Sequence, residues 1–382
     1  MKMSIQQVSV SREEVNSLGK RVCLTDRDDE VGLENICYID CKEDDSPLLK
    51  QCRGQVWRGN ELILKSFPWT LEMTQFQKEK IEEWYDGTER IFKSYEGAII
   101  RLFWFGERWW VTTNRKLNAM KNRWTSKESF GETFVKALSK HLGVDSEKAL
   151  ETLTSSLDKT NKYIFLVRHN KENRIVCDSP SDDEPLLYHV ATYIGEKVNF
   201  DVEIPCIPHP EEVKFNTVDE LISDVNCVDI KKIQGYILFK KDSDEHCKIY
   251  KNDYMDLFDV RGNEMSIKYR YLQLRMDPIK TNLLYYLYPE YVGEFQRYEN
   301  ILYFSAQYIL GAYINRFIKK EFTTVPQDEY IIMQKVHNNY MQTHQKVNLE
   351  NVFDVMNECP PTLLNKIIRR YNFEKRNQEK DV

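Results

Sequence analysis

Apolar positions along this chain follow two rhythms. From Cys52 to about residue 275 they fall in short runs with strand-like alternation, broken by Gly-, Asn- and Asp-containing turns. Past Pro278 they recur three and four apart: Leu283, Leu284, Leu287, Phe295, Tyr298, Leu302, Ala306, Ile309 and Tyr313 through Phe317. After the Pro360-Pro361 break, the rhythm of Val352 and Val355 continues at Leu363, Leu364, Ile367 and Ile368. In the first region, Cys52 to Pro68 predicts a hairpin turning at Gly59-Asn60. Ser94 to Phe103 and Trp109 to Lys116 predict two strands rich in β-branched and aromatic residues, joined at Phe105-Gly106-Glu107-Arg108. Tyr163 to Val167 and Ile175-Val176-Cys177 predict two more, followed by a polar loop over 178–185. Lys232 to Lys240 and His246 to Tyr250 predict another pair around the acidic turn Asp242 to Glu245. Tyr269 to Arg275 alternates and predicts a strand closing the region. Helices are expected over 74–92, with Phe76, Ile81 and Trp84 inward, over Ser129 to His141, and over Ser146 to Leu157 with Ser146 as cap.

The pattern implies an α+β architecture of antiparallel sheets over residues 46–275 and an all-helical domain over 278–382. Residues 1–45 read as a charged, irregular extension, with Asp26 to Glu30 a solvated loop. At 382 residues the chain has room for two or three domains. A formal charge of −6 gives no global basic signature, so any contact with nucleic acid must be a local patch. Nine cysteines without a CxxC pair suggest reduced thiols and no zinc site; His337 and His344 stand seven apart without ligand-spaced partners and read as surface residues. No apolar run approaches a membrane span, and Met1 to Arg12 lacks the apolar region of a signal peptide. A soluble, intracellular protein is expected.

Four segments, in order, resemble motifs of the phage-type RNA ligases and mRNA capping enzymes, within the nucleotidyltransferase superfamily. Cys52-Arg53-Gly54-Gln55-Val56 resembles the Arg-Gly strand before the nucleotide pocket. Ser94 to Lys116 resembles the nucleophile strand and the basic motif after it. Asn173-Arg174-Ile175-Val176 resembles the family's Asn-Arg-Ile-Val turn. Gln234-Gly235-Tyr236-Ile237-Leu238 with Lys248-Ile249-Tyr250 resembles the paired strands of the last motifs. The resemblance implies antiparallel sheets flanking a cleft. It also implies a lysine nucleophile attacking the α-phosphate of ATP or GTP, with Mg²⁺ held by acidic residues.

The chain departs from those demands. Ser94 stands at the nucleophile's register, with Lys93 one residue early. Leu166 or Val167 replaces a carboxylate, Gln234 replaces the glutamate before Gly235, and Tyr250 replaces one of the closing lysines. An amide keeps the shape of a carboxylate but not the charge a divalent ion needs. The resemblance therefore implies a catalytically degenerate RNA ligase-like protein, like those of large cytoplasmic DNA viruses. It would bind a nucleotide or an RNA 5′ end, capped or not, without a cofactor or metal. The site would comprise Glu96, Arg101, Arg115, Lys116, Asn173, Arg174, Gln234 and Lys248. Two alternatives stay open: an active RNA ligase or capping guanylyltransferase in which a bulge brings in Lys93, and a scaffold recruiting a protein partner through its helical domain. Arg101, Arg115, Lys116, Lys121 and Arg123 interleave with Trp104, Trp109, Trp110 and Trp124. Such a set suits either a single-stranded RNA path or a sheet core with solvated charges. The expected setting is cytoplasmic, in a viral factory or a virion.

Overall fold

The computed structural model describes residues 10–168, 174–180 and 184–378. They form two compact units, Met1–Asp256 and Leu257–Val382. The first unit contains three sheets. The N-terminal sheet runs in chain order through β1 (Val22–Asp28), β2 (Leu33–Tyr38), β3 (Arg53–Arg58) and β4 (Glu61–Leu64). The central sheet holds β7 (Ala98–Phe105), β8 (Arg108–Thr112), β9 (Lys162–Arg168), β10 (Leu186–Ile194) and β11 (Lys197–Asn199), in the order β11-β10-β9-β7-β8. The third holds β5 (Leu71–Thr74), β6 (Arg90–Ser94), β12 (Glu212–Val213), β13 (Gly235–Phe239) and β14 (His246–Tyr250), in the order β12-β6-β13-β14-β5.

Strand alternation sets the layers, because successive side chains point to opposite faces. On the third sheet Ile91, Tyr236, Leu238, Cys247 and Ile249 pack with Ile81 of α3 (Lys78–Trp84) and with Leu221 and Val225 of α6 (Val218–Cys227). The opposite positions, Phe92 and Phe239, meet Ile164, Ala191 and Tyr193 of the central sheet. The central sheet's other face, with Ile100, Leu102, Phe165 and Leu187, is covered by Phe134, Ala137 and Leu138 of α4 (Phe130–Leu142) and by Ala149 and Leu153 of α5 (Ser146–Ser155). A capping box between Ser129 and Glu132 starts α4, and Gly143 ends it in the left-handed region at φ +65°. The layers therefore run helices, sheet, sheet, helices.

Several sequence expectations need correction; the helix expected over 74–92 shrinks to α3 (Lys78–Trp84), with Phe76 exposed and β6 beginning at Arg90. The described residues of the N-terminal segment, from Val10 on, are not irregular: Leu33, Ile36 and Cys37 are buried, and the Asp26 carboxylate accepts the Leu117 N–H at 2.8 Å. The charge of this segment belongs to an edge strand, which misled a reading by composition. Ile175 to Cys177 form no strand, because the Ile175 and Val176 N–H groups donate to the Glu96 carboxylate instead of to a ladder. Tyr269 to Arg275 is not a strand either. It falls in α8 (Ile267–Leu274), capped by the Ser266 hydroxyl, with Tyr271, Leu272 and Leu274 buried. Over so few residues an alternating pattern also satisfies the three-and-four spacing of a helix. Finally, the third sheet is mixed, since β14 pairs β5 in parallel.

Helix begins before Pro278, with α7 (Asn252–Arg261) and α8 ahead of α9 (Pro278–Leu287). The second unit continues through α10 (Val292–Tyr313), α11 (Gln327–Thr343), α12 (Leu349–Asn357) and α13 (Pro361–Gln378). Phe295, Leu302, Ile332, Val355 and Ile367 are buried in this unit. Among the described residues no helix is long and apolar enough to cross a membrane.

Candidate nucleotide-binding cleft

Where the layer between the central and third sheets opens, it leaves a small solvent-connected cleft lined by residues of both. Phe67, Phe92, Ile99, Leu166, Ile237 and Phe239 supply apolar walls; Arg53, Ser66, Thr70, Asn114, His246 and Lys248 supply polar groups. The cleft is thus apolar on one side and cationic on another.

Ser94 ends β6 on the same face as Phe92, and Lys248 lies on the matching face of β14. Between them, the Gln234 side-chain oxygen accepts the Ser94 hydroxyl at 2.9 Å and the Lys248 ammonium at 3.1 Å. The Gln234 amide nitrogen donates to the Tyr254 hydroxyl, which in turn donates to Glu96 at 3.0 Å. The same Glu96 oxygen accepts the Val176 N–H at 2.8 Å, and the other accepts Ile175 N–H at 3.3 Å. One hydrogen-bonded chain therefore runs Lys248–Gln234–Tyr254–Glu96. Gly235 is obligatory beside it: at φ +146° a Cβ would lie 2.1 Å from the Ile249 carbonyl oxygen.

Electrostatics follow from this enclosure. Desolvation pulls the Lys248 ammonium down to about 8, Glu72 opposing and the neighbouring Arg53 adding to the effect. Burial raises the Glu96 carboxyl, against its three backbone N–H donors and Tyr254. His246 is held neutral, desolvated to about 3; its Nδ1 faces the Asp244 carbonyl at 2.8 Å and its Nε2 faces the Thr70 hydroxyl at 2.8 Å. The Arg53 guanidinium donates to the Pro68 carbonyl at 3.1 Å and to the Thr70 hydroxyl at 3.0 Å. Among the described residues neither Arg53 nor Lys248 has a carboxylate within the 4.0 Å of an ion pair.

Of the residues singled out in the sequence, Glu96, Gln234 and Lys248 come together in this network. Arg101 does not join them. It is fully buried and donates to the carbonyls of Gly54 and Thr113 and to the Asn35 side chain, pinning the N-terminal sheet to β7. Arg115 is exposed just beyond Asn114, and Lys116 lies 3.7 Å from Asp26. Arg174 pairs with Asp178 at 3.3 Å, on the segment that Glu96 holds. Asn173 lies outside the described residues. Lys93 shares the face of Ile91 but also borders the cleft, and its ammonium pairs with Glu211 at 2.6 Å. The ladder between β6 and β13 passes through Lys93 with no register shift, so the bulge that would re-aim it is absent. Leu166, at the place of a family carboxylate, lines the cleft, while Val167 is buried under α4 and α5.

Sequence reasoning left out Arg53, Tyr254 and the placement of Ser94. Arg53 had a signal, its position in the Arg-Gly strand. Tyr254 had none, since a tyrosine in a charged helix start carries no mark of burial.

No protein-family model matches the chain. It is similar to proteins of large DNA viruses: the immediate-early protein ICP-46 homologue of Invertebrate iridescent virus 6, 28% identical over 85% of this chain and 78% of that protein. The homologue of Invertebrate iridescent virus 3 is 29% identical over 75% of this chain and 64% of that one. The solved structures to which it is similar include ligases. An Aquifex aeolicus protein of the ATP-dependent DNA ligase type covers 86% of this chain and is itself covered to 87%, at 14% identity and a TM-score of 0.42. An archaeal ATP-dependent RNA ligase covers 75% and is covered to 73%, at 12% identity and a TM-score of 0.41. At these scores and identities the likeness carries no argument about chemistry, which rests on the side chains of the cleft.

Proposed function

We propose that this protein is a catalytically degenerate RNA ligase-like protein that binds a nucleotide or an RNA 5′ end, capped or not, in the cleft between its sheets. The observation that carries the reading is the use made of its remaining acid. Both oxygens of Glu96 accept protein donors, Gln234 is an amide, and Leu166 is apolar. These residues do not fit a divalent ion, which needs several free carboxylate oxygens. The cleft nevertheless keeps two cations, Arg53 and Lys248, that meet only neutral acceptors. Such groups suit phosphate, since an anion there would replace neutral acceptors with charge-assisted bonds.

In this reading the apolar walls take the base, and Lys248 and Arg53 take the phosphates. Ser66, Thr70 and Asn114 add hydroxyl and amide groups. Glu96 and Gln234 position: one ties down the segment carrying Arg174, the other orients the Lys248 ammonium. Arg115 and Lys116 contribute from the segment that follows Asn114. The test is incubation with α-labelled ATP or GTP and Mg²⁺, together with equilibrium binding in EDTA. No covalent adduct is expected, and binding should survive EDTA. An adduct lost in Lys93→Ala, or strict metal dependence, overturns the reading.

A further inference from the structure

Residues 108–127 carry six basic side chains and no acidic one, in a chain whose formal charge is −6. The run borders the cleft at Asn114. This residue accepts the Ser66 hydroxyl at 3.0 Å, and the next residues are Arg115 and Lys116.

The segment is held in shape from beneath. Leu117 and Ala119 are buried, the Asn118 side chain accepts the Met120 N–H at 2.9 Å, and the Asn122 side chain donates to the Thr113 hydroxyl at 2.8 Å. The Phe130 N–H closes the loop on the Asn122 carbonyl at 2.8 Å. Buried anchors thus alternate with outward cations.

Some of the charge is neutralised by neighbours: Arg108 by Asp28 at 3.2 Å, Lys116 by Asp26 at 3.7 Å, and Arg123, at the limit of an ion pair, by Glu132 at 4.0 Å. Glu128, the first acid after the run, pairs with Lys136 instead. Arg115, Lys121 and Lys127 are exposed, and among the described residues no carboxylate lies within ion-pair distance of them.

We propose that residues 115–127 are a track for single-stranded RNA leading to the cleft, its phosphates paired with the cations of this loop. The inference rests on the reading of the cleft as a site for a nucleotide or an RNA 5′ end, and it extends that site beyond the first nucleotide. RNA is favoured over an acidic peptide because the run starts at the cleft wall and includes the partly exposed Trp124, an aromatic of the kind on which bases stack. A preshaped cationic loop also lowers the ordering cost for a flexible polyanion.

The test compares wild type with the triple variant Lys121→Gln, Arg123→Gln, Lys127→Gln, none of which lines the cleft. Probes are a 5′-phosphorylated single-stranded oligoribonucleotide, a mononucleotide and a polyglutamate peptide, each across a salt series. Three lost contacts at ~0.7 each should flatten the log–log salt slope for RNA by ~2, so that raising salt fourfold weakens wild type about 20-fold more than the variant. Mononucleotide affinity should be unchanged. An unchanged RNA slope in the variant overturns the track. So does binding of polyglutamate, but not RNA, through these residues. Mononucleotide binding without RNA binding leaves the cleft reading standing and removes the track. An RNA slope that falls as expected without mononucleotide binding keeps the track and removes the cleft reading.

Discussion

Raising the pH through the titration of Lys248 should release a bound nucleotide, and the size of the effect follows from the ammonium's surroundings. Its displacement from 10.5 to about 8 comes first from desolvation and then from Arg53, with only the neutral Gln234 oxygen as acceptor. At about 1.4 kcal/mol for each factor of ten, holding this charge in the empty cleft costs about 3 kcal/mol. Because the folded-state value is depressed, the cost is present in full below about 8 and fades as the pH rises toward the unfolded value of 10.5. A phosphate against the ammonium reverses the displacement, so the bound form keeps its proton where the free form has lost it. Above about pH 7 a phosphomonoester is already mostly ionised, which leaves Lys248 as the titrating partner. Affinity should then fall about tenfold between about pH 7 and about pH 9, with a ceiling near 300-fold at higher pH. Anisotropy titrations with a labelled mononucleotide would follow it. The same reasoning predicts that Lys248→Met abolishes binding yet stabilises the free protein by up to ~3 kcal/mol, less ~1 for the lost hydrogen bond, because Gln234 keeps the Ser94 hydroxyl as donor. Affinity that is flat across this range, or a Lys248→Met protein that unfolds at lower urea than wild type, would refute the reasoning.

Gln234→Glu should remove the step near pH 8, since a carboxylate against Lys248 raises its proton affinity, and should weaken phosphate binding by competing for the charge; the same anisotropy series reads both. Tyr254→Phe deletes the hydroxyl between Gln234 and Glu96 and leaves two buried groups short of a partner, a loss of ~1–3 kcal/mol by urea denaturation. Two buried histidines should make the protein acid-labile. Desolvation lowers His189, beside His209, to about 4 and His246 to about 3. The unfolded chain therefore takes up protons first as pH falls below about 6.5, and each residue should remove about 2 kcal/mol between about pH 7 and about pH 5. Unfolding curves at the two pH values check this, and equal midpoints would contradict it.

Much of the α+β core was legible because local rules sufficed. Tight Gly-Asn and acidic turns flanked by alternating apolar runs marked β3 with β4 and β13 with β14, and the helical span expected over Ser129 to His141 is α4. The missing chemistry was legible too, since Ser94, Leu166 and Gln234 are facts of residue identity at motif positions. Short or charged elements were not. β1 carries its charge at a sheet edge, and α8 is too short for its periodicity to exclude a strand.

Pattern alone could not tell which of two adjacent residues enters the cleft. Side chains alternate along a strand, so the unshifted ladder between β6 and β13 puts Ser94 on the cleft face with Phe92, while Lys93, on the other face, borders the cleft with its ammonium tied to Glu211. Nor could it separate Arg101, a buried pin, from Arg53, a cleft cation: both are arginines in apolar strands, and only their partners distinguish them. Residue identity decided which reactive groups this protein lacks. Tertiary packing decided which charges it leaves without a counter-charge, because that depends on neighbours brought together from β3, β14 and α7, far apart along the chain.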